Sequence, residues 1–238
     1  MTGSLKVTET TQASQARTSS TTPSSCAATH TEEEEVSMLA HMRRAFDMAH
    51  EAARREEVPI GCVLVKDDVV VATGFNRTNE TRDVRTVSLL VALLLPFCSH
   101  NFLTKKKHHS LTQGTRHAEM EAMDYALKAN IPLKDCELYV TCEPCVMCAA
   151  ALSLAGVRRA VYGCANDKFG GCGTVLAVHE EGCGGCGQRD IPGAGHSIEC
   201  IGGVMKDEAV ALLRTFYERG NPGAPKPHRK VVPRTSDN

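Results

Sequence analysis

The chain has almost no net charge. Its 27 Lys and Arg against 28 Asp and Glu leave −1 over 238 residues, with a pI of about 6.8. It therefore lacks the overall basic field of a self-sufficient nucleic-acid binder, and any footprint on nucleic acid must be local or supplied by a partner. It also lacks an N-terminal segment in which a basic start leads into an apolar run, so no secretory signal is expected. A hydrophobic stretch long enough to cross a bilayer is missing too. The apolar segment 87–97 contains Pro96 and is too short to span one. These absences lead to the expectation of an intracellular protein, in the cytoplasm, the nucleus or both, with no membrane partner.

Cysteine, in contrast, is abundant, with twelve residues. Outside an oxidising compartment these thiols are expected to be reduced, metal-bound or buried rather than paired in a disulfide framework. Cys62, Cys136, Cys164 and Cys200 each sit beside a strand-like run and read as small buried hydrophobes. With 42% hydrophobic and 23% charged residues, the composition is that of a globular protein. The length suits one domain of about 150–200 residues with tails.

Residues 1–31 are rich in Ser and Thr, nearly free of large apolar side chains, and expected to be disordered. Lys6 and Arg17 are too few basic residues to favour a transit peptide. The domain is expected over 32–219. Its first helix opens on Glu32-Glu33-Glu34-Glu35, which suit the positive end of the helix dipole, and presents Leu39, Met42, Phe46, Ala49 and Ala53 at helical spacing. Residues 60–65 and 69–72 read as strands joined by a turn at Lys66-Asp67-Asp68. A second helix follows with Ala118, Ala122, Met123, Ala126 and Leu127 on its apolar face, closed by Asn130 and Pro132. Residues 138–140 form a short strand. Pro144 suits a first helical position, residues 145–155 are apolar on every side as in a buried helix, and Gly156 ends the run. Another strand is expected at 160–162, and a last helix at 206–219 with Val210, Leu213 and Phe216 inward. Helices and strands alternating at these lengths indicate an α/β fold of three layers, α-β-α, around a mixed sheet. The tail 220–238, with Lys226, His228, Arg229, Lys230 and Arg234 among prolines, reads as a solvated terminus or as an arm for a phosphate backbone.

Two clusters carry chemistry: His117-Ala118-Glu119 and Pro144-Cys145-Val146-Met147-Cys148. One imidazole and two thiolates, from His117, Cys145 and Cys148, can hold Zn2+ on three sides. The fourth position stays open, as in a catalytic rather than a structural site. The thiols sit three residues apart in the first turn of a helix whose dipole lowers their pKa. Glu119, two positions from the imidazole, can handle protons on a water in the open position without binding the ion. A closed site would recruit Cys142, which precedes the turn at Pro144 and is expected to point elsewhere. A second C-x-x-C, at Cys183 and Cys186 near Cys172, His179 and His196, lacks a complete quartet on defined elements.

H-x-E with P-C-x-x-C is the signature of zinc-dependent base deaminases, and on it the chain resembles the cytidine deaminase-like superfamily. Flanking pieces resemble more closely the catalytic subunits of the eukaryotic tRNA wobble adenosine deaminases. They include Glu57-Val58-Pro59-Ile60-Gly61, Gly74-Phe75-Asn76, Val161-Tyr162-Gly163-Cys164, Lys168-Phe169-Gly170-Gly171-Cys172-Gly173, Thr215-Phe216-Tyr217 and Asn221-Pro222-Gly223-Ala224-Pro225-Lys226. The resemblance implies zinc on His117, Cys145 and Cys148, with Glu119 as the proton shuttle. Asn76 would touch the purine, and the Ala118 backbone would help hold the base. The implied substrate is adenosine at wobble position 34 of a tRNA anticodon loop, converted to inosine with loss of ammonia. The implied partner is a paralogue without the catalytic carboxylate, forming a heterodimer. Alternatives on the same zinc core are a free nucleotide or nucleobase deaminase, acting on deoxycytidylate or guanine, and a non-catalytic zinc-binding subunit.

One segment departs from that family. Residues 84–113 intervene where the family joins Gly74-Phe75-Asn76 to the His117 helix by a short loop, and they combine the apolar stretch with a basic run, Lys105-Lys106-Lys107-His108-His109. Long structureless insertions are uncommon in compact domains. Val84-Arg85 can be encoded GTAAGN, a splice-donor sequence, and Gln113 can be encoded CAG, an acceptor end. The expectation is a translated retained intron or gene-model error; the rival is a genuine lid or RNA-binding insertion. Sequencing the coding DNA is expected to give GTA-AGN at codons 84–85, and any other codons there would sink the intron reading.

Overall fold

A computed structural model describes residues 31–81, 116–181 and 195–222. The expectations for residues 1–30, 84–113, the Cys183/Cys186 pair and the basic tail lie outside those residues. The described elements are α1 (Glu32–Arg54), β1 (Gly61–Lys66), β2 (Val69–Phe75), the short α2 (Thr78–Thr81), α3 (Ala118–Lys128), β3 (Glu137–Cys142), α4 (Val146–Ala155), β4 (Arg159–Cys164), the short α5 (Val178–Glu181), β5 (Glu199–Gly202) and α6 (Lys206–Arg219).

The five strands form one mixed sheet in the order β2-β1-β3-β4-β5. β1 is antiparallel to β2 and β3, whereas β3, β4 and β5 run parallel. Alternation along each strand sorts side chains onto two faces. Cys62, Leu64, Leu138, Val140 and Ala160 join one core with residues of α3 and α4, such as Met123 and Leu152. Val63, Val65, Tyr139 and Val161 join the other with Met42, Phe46 and Ala209 from α1 and α6. Helices on both faces make the expected three-layer α-β-α arrangement.

The hairpin turn is where the sequence places it. Asp67 and Asp68 both adopt positive φ, 51° and 62°, as a two-residue turn matched to strand twist requires. α1 is docked on that turn: Ser37 Oγ donates to Asp68 Oδ1 at 2.6 Å, and His41 Nε2 lies 2.8 Å from the same oxygen. α4 ends at Gly156, which takes the left-handed conformation (φ 76°) of a helix C-cap.

Several details differ from the sequence reading. The buried face of α1 runs through Met38, His41, Met42, Ala45, Phe46, Ala49 and Ala52. Met42, Phe46 and Ala49 are buried as expected, but the stripe extends toward Met38, Ala45 and Ala52, and Leu39 at its opposite margin is exposed. Pro144 lies two residues before α4, just ahead of the N-cap Cys145. In α6 Val210 and Leu213 pack against the core as expected while staying partly covered, Ala209 is the wholly buried residue, and Phe216 is partly covered without joining that core. A fifth strand, β5, adds itself to the edge beside β4. Its partly exposed pattern gave too weak an alternation to read.

Leu138 lies wholly buried on the central strand β3. Leu138→Ala is expected to lower stability by about 2–5 kcal/mol, seen as a lower urea midpoint at unchanged slope.

Candidate functional site

The edge of the sheet where β3 and β4 end is also where β2 ends and β1 begins, since Gly61 pairs with Phe75 and Cys142 with Cys164. Carboxyl ends of parallel strands are the usual place for a site in a layered α/β fold. Here α3 and α4 both begin at that edge. His117 is the N-cap of α3 and Cys145 the N-cap of α4, each with extended backbone (ψ 159° and 165°). Neither side chain caps its own helix. Both side chains meet in the space between the helices.

His117 Nδ1 lies 3.4 Å from Cys145 Sγ and 3.5 Å from Cys148 Sγ. A tetrahedral zinc with bonds of ~2.3 Å to sulfur and ~2.0–2.1 Å to nitrogen would hold such atoms roughly 3.6 Å apart. The donor set fits zinc in chemistry and in spacing. His117, Cys145 and Cys148 form the one such group among the described residues. Cys142 is not in it. Its thiol instead meets Cys164 across the paired strands, and that contact, with burial, raises its pKa.

Without a metal the two thiols share protons unequally. A hydrogen bond from Cys148, helped by His117, holds Cys145 down at about 4, whereas Cys148 is pushed well above the usual thiol range by the same bond and by burial. A divalent ion would displace these protons.

Glu119 is 3% exposed in the first turn of α3. Burial pushes its carboxyl up to about 7, partly offset by the nearby His117. Such a group can both hold and release a proton near neutrality. It lines a cavity of about 940 Å³ together with His117, Cys145, Asn76, Val58, Met147 and residues of 165–169.

Asn76 and Ala118 meet directly. The Ala118 N–H donates to Asn76 Oδ1 at 2.9 Å. That N–H opens α3 and has no partner within the helix, so Asn76 satisfies it and is in turn oriented by it. The close approach depends on Gly74: a Cβ there would come within 2.1 Å of the Ala118 carbonyl oxygen. Ala118 itself is fully buried and does not line the cavity. The approach to His117 is braced by Glu121, which accepts hydrogen bonds from both Arg77 and Arg116, and by the Arg77 N–H on the Arg116 carbonyl (3.0 Å). Residues 77 and 116 are thereby pinned side by side.

Two buried carboxylates have roles that the sequence did not announce, Glu57 being only part of a resembling motif. Glu57 Oε2 accepts from Thr78 Oγ1 (3.1 Å) and the Asn79 N–H (2.9 Å). Glu143, 2% exposed, accepts from the N–H groups of Asn166 (2.9 Å), Cys172 (3.0 Å) and Thr174 (3.2 Å), and so ties down the loop after β4. Its place directly before Pro144-Cys145 was the available signal. The donors are backbone groups from a distant loop, which no side-chain pattern announces.

Residues 35–164 match the family model for the cytidine and deoxycytidylate deaminase zinc-binding region. The chain is 40% identical over 194 residues to the tRNA-specific adenosine deaminase 2 of Danio rerio, covering 78% of this chain and 73% of that protein. It is 38% identical over 193 residues to the protein of the same name from Xenopus laevis, covering 78% and 89%. A solved structure from studies of A-to-I editing by tRNA:A34 deaminases at the wobble position of transfer RNA superimposes with a TM-score of 0.50 at 31% identity, over 73% of this chain and 98% of that one.

Elemental analysis of the purified chain is expected to show zinc, with His117→Ala and Cys148→Ser each lowering the content by one equivalent per chain. Unchanged zinc in both variants would remove the ion from this cluster.

Proposed function

The chain belongs to the cytidine and deoxycytidylate deaminase zinc-binding family, on the branch of the tRNA-specific adenosine deaminases, and from that premise we propose that it hydrolyses adenosine to inosine at the wobble position of tRNA anticodons. The observation that carries the reading is Glu119, a carboxylate buried beside the His117, Cys145 and Cys148 donors at the wall of an open cavity. An unneeded charge would not be left there at the cost of desolvation.

Zinc held by His117, Cys145 and Cys148 would supply the Lewis acidity that makes water a nucleophile near neutral pH. Glu119 then accepts the proton of the attacking water, passes it to the ring nitrogen N1, and carries a proton to the departing amine. The C6–O bond forms, the C6–N bond breaks, and ammonia leaves. Asn76 is committed through Oδ1 to a backbone N–H, which can only donate. Its Nδ2 group is therefore the end offered to the purine. Ala118 acts on the base through Asn76. The adenosine has to be unpaired and turned out of its loop to enter such a cavity.

A near-neutral chain gains little from long-range attraction to an anionic RNA. We assign it the catalytic role in a heterodimer with a non-catalytic paralogue, which would share the grip on the anticodon arm. Residues 32–219 would be the deaminase domain and 220–238 a basic arm. No helix among the described residues is long and apolar enough to cross a membrane. The eight described cysteines are all free, which suits a reducing compartment, cytoplasm or nucleus.

Glu119→Gln is expected to lower deamination of a wobble-A anticodon stem-loop by at least ~10²–10⁴-fold while leaving zinc content unchanged. Retained activity would end the assignment.

A further inference from the structure

The chain is poor in aromatic residues: six Phe, four Tyr and no Trp. Among the described residues three rings are more than half exposed, Tyr125 (59%), Phe169 (66%) and Tyr217 (53%). Two of them, Phe169 and Tyr217, line the cavity that holds Glu119, although they come from different elements. Isolated exposed apolar side chains need no explanation. Two from so small a pool on one cavity do.

Phe169 is also held in place. Its carbonyl accepts the N–H of Val146, the first residue of α4, at 2.8 Å, and its own N–H donates to Asn166 Oδ1 at 3.1 Å. The surrounding loop is tied to buried Glu143 by three N–H donors. Val146 follows directly on Cys145. The backbone that carries the ring is therefore bonded to the same helix end that presents the metal ligand. A fixed backbone under an exposed ring is what a stacking surface requires, since little freedom is lost when a flat ligand settles on it. Lys168, beside it on the cavity lining, supplies a cation suited to a phosphate.

On these grounds, and resting on the reading of the chain as a deaminase of an unpaired adenosine in RNA, we propose that Phe169 is a stacking platform for an unpaired base directly flanking the target adenosine. Every base has a π-face, so such contact is tolerant of sequence and positions the strand without selecting it. It would hold the backbone on one side of the flipped nucleotide while Asn76 and Glu119 engage the nucleotide itself.

The test uses the full chain co-purified with its paralogue, as wild type, Phe169→Ala and Phe169→Tyr. Substrates are an anticodon stem-loop with the unpaired adenosine and the same RNA made abasic at its 5′ or its 3′ neighbour. Phe169→Ala is expected to lower kcat/KM roughly 5- to 100-fold, mainly through KM, with Phe169→Tyr restoring it. On one of the two abasic RNAs, wild type and Phe169→Ala should become equal. A second measurement needs no turnover: 2-aminopurine in place of the flanking base should be quenched on binding wild type and stay bright with Phe169→Ala. A loss below twofold, an equal loss on every RNA, or loss of the paralogue from the Phe169→Ala preparation overturns the proposal. Wild type that releases no ammonia from any RNA would sink the activity instead, and the quench would still decide the role of Phe169.

Discussion

An α-helix begins with backbone N–H groups that have no partner inside it. In this fold two helices begin at the same sheet edge, and the way those groups are satisfied organises what lies around them. The Ala118 N–H opens α3 and takes Asn76 Oδ1; the Val146 N–H opens α4 and takes the Phe169 carbonyl. The N-cap side chains, His117 and Cys145, cap neither helix and face one another across 3.4 Å. One requirement of backbone chemistry thus positions a pair of candidate metal ligands, orients an amide and places the backbone beneath Phe169.

The rest of the domain serves to keep those two helix ends together. Strand alternation sends Leu138 and Val140 into the core with α3 and α4, and Val63, Val65 and Tyr139 toward α1. With both faces of β3 covered, its end at Cys142 cannot drift, and Glu143 and Pro144 carry the chain directly into α4. Glu143 spends its carboxylate on three backbone donors from the loop after β4, so the wall of the cavity is latched from beneath. The chain enters α3 through the braced pair of residues 77 and 116.

Burial gives the site its electrostatic character. Glu119 sits in a place where ionisation is disfavoured, and its carboxyl is lifted to about 7, into the range where a proton can be taken and given. The thiols of Cys145 and Cys148 share a proton that a divalent ion would replace. The same low-dielectric surroundings would strengthen each interaction made with a base that enters the cavity.

Much of this was readable from residue order alone. Local rules, helical spacing, a two-residue turn and a terminal glycine, placed β1, β2, α3 and α4, and ligand chemistry singled out His117, Cys145, Cys148 and Glu119, because donor type and spacing within one helical turn are properties of the chain itself. Leu39 and Phe216 lie less deep than their spacing suggests, since the packed stripe of a helix is settled by its neighbours, and Pro144 precedes the N-cap because Cys145 takes that place. β5 was invisible because an edge strand needs little alternation. Glu57 and Phe169 stood in motifs without a role of their own, and Glu143 stood in none. Their partners are backbone groups distant in sequence, and only tertiary structure brings those N–H groups to them. The identity of the chemistry was written in the side chains; the shape of the room in which it happens was decided by which backbone donors were left unsatisfied and what folded up to meet them.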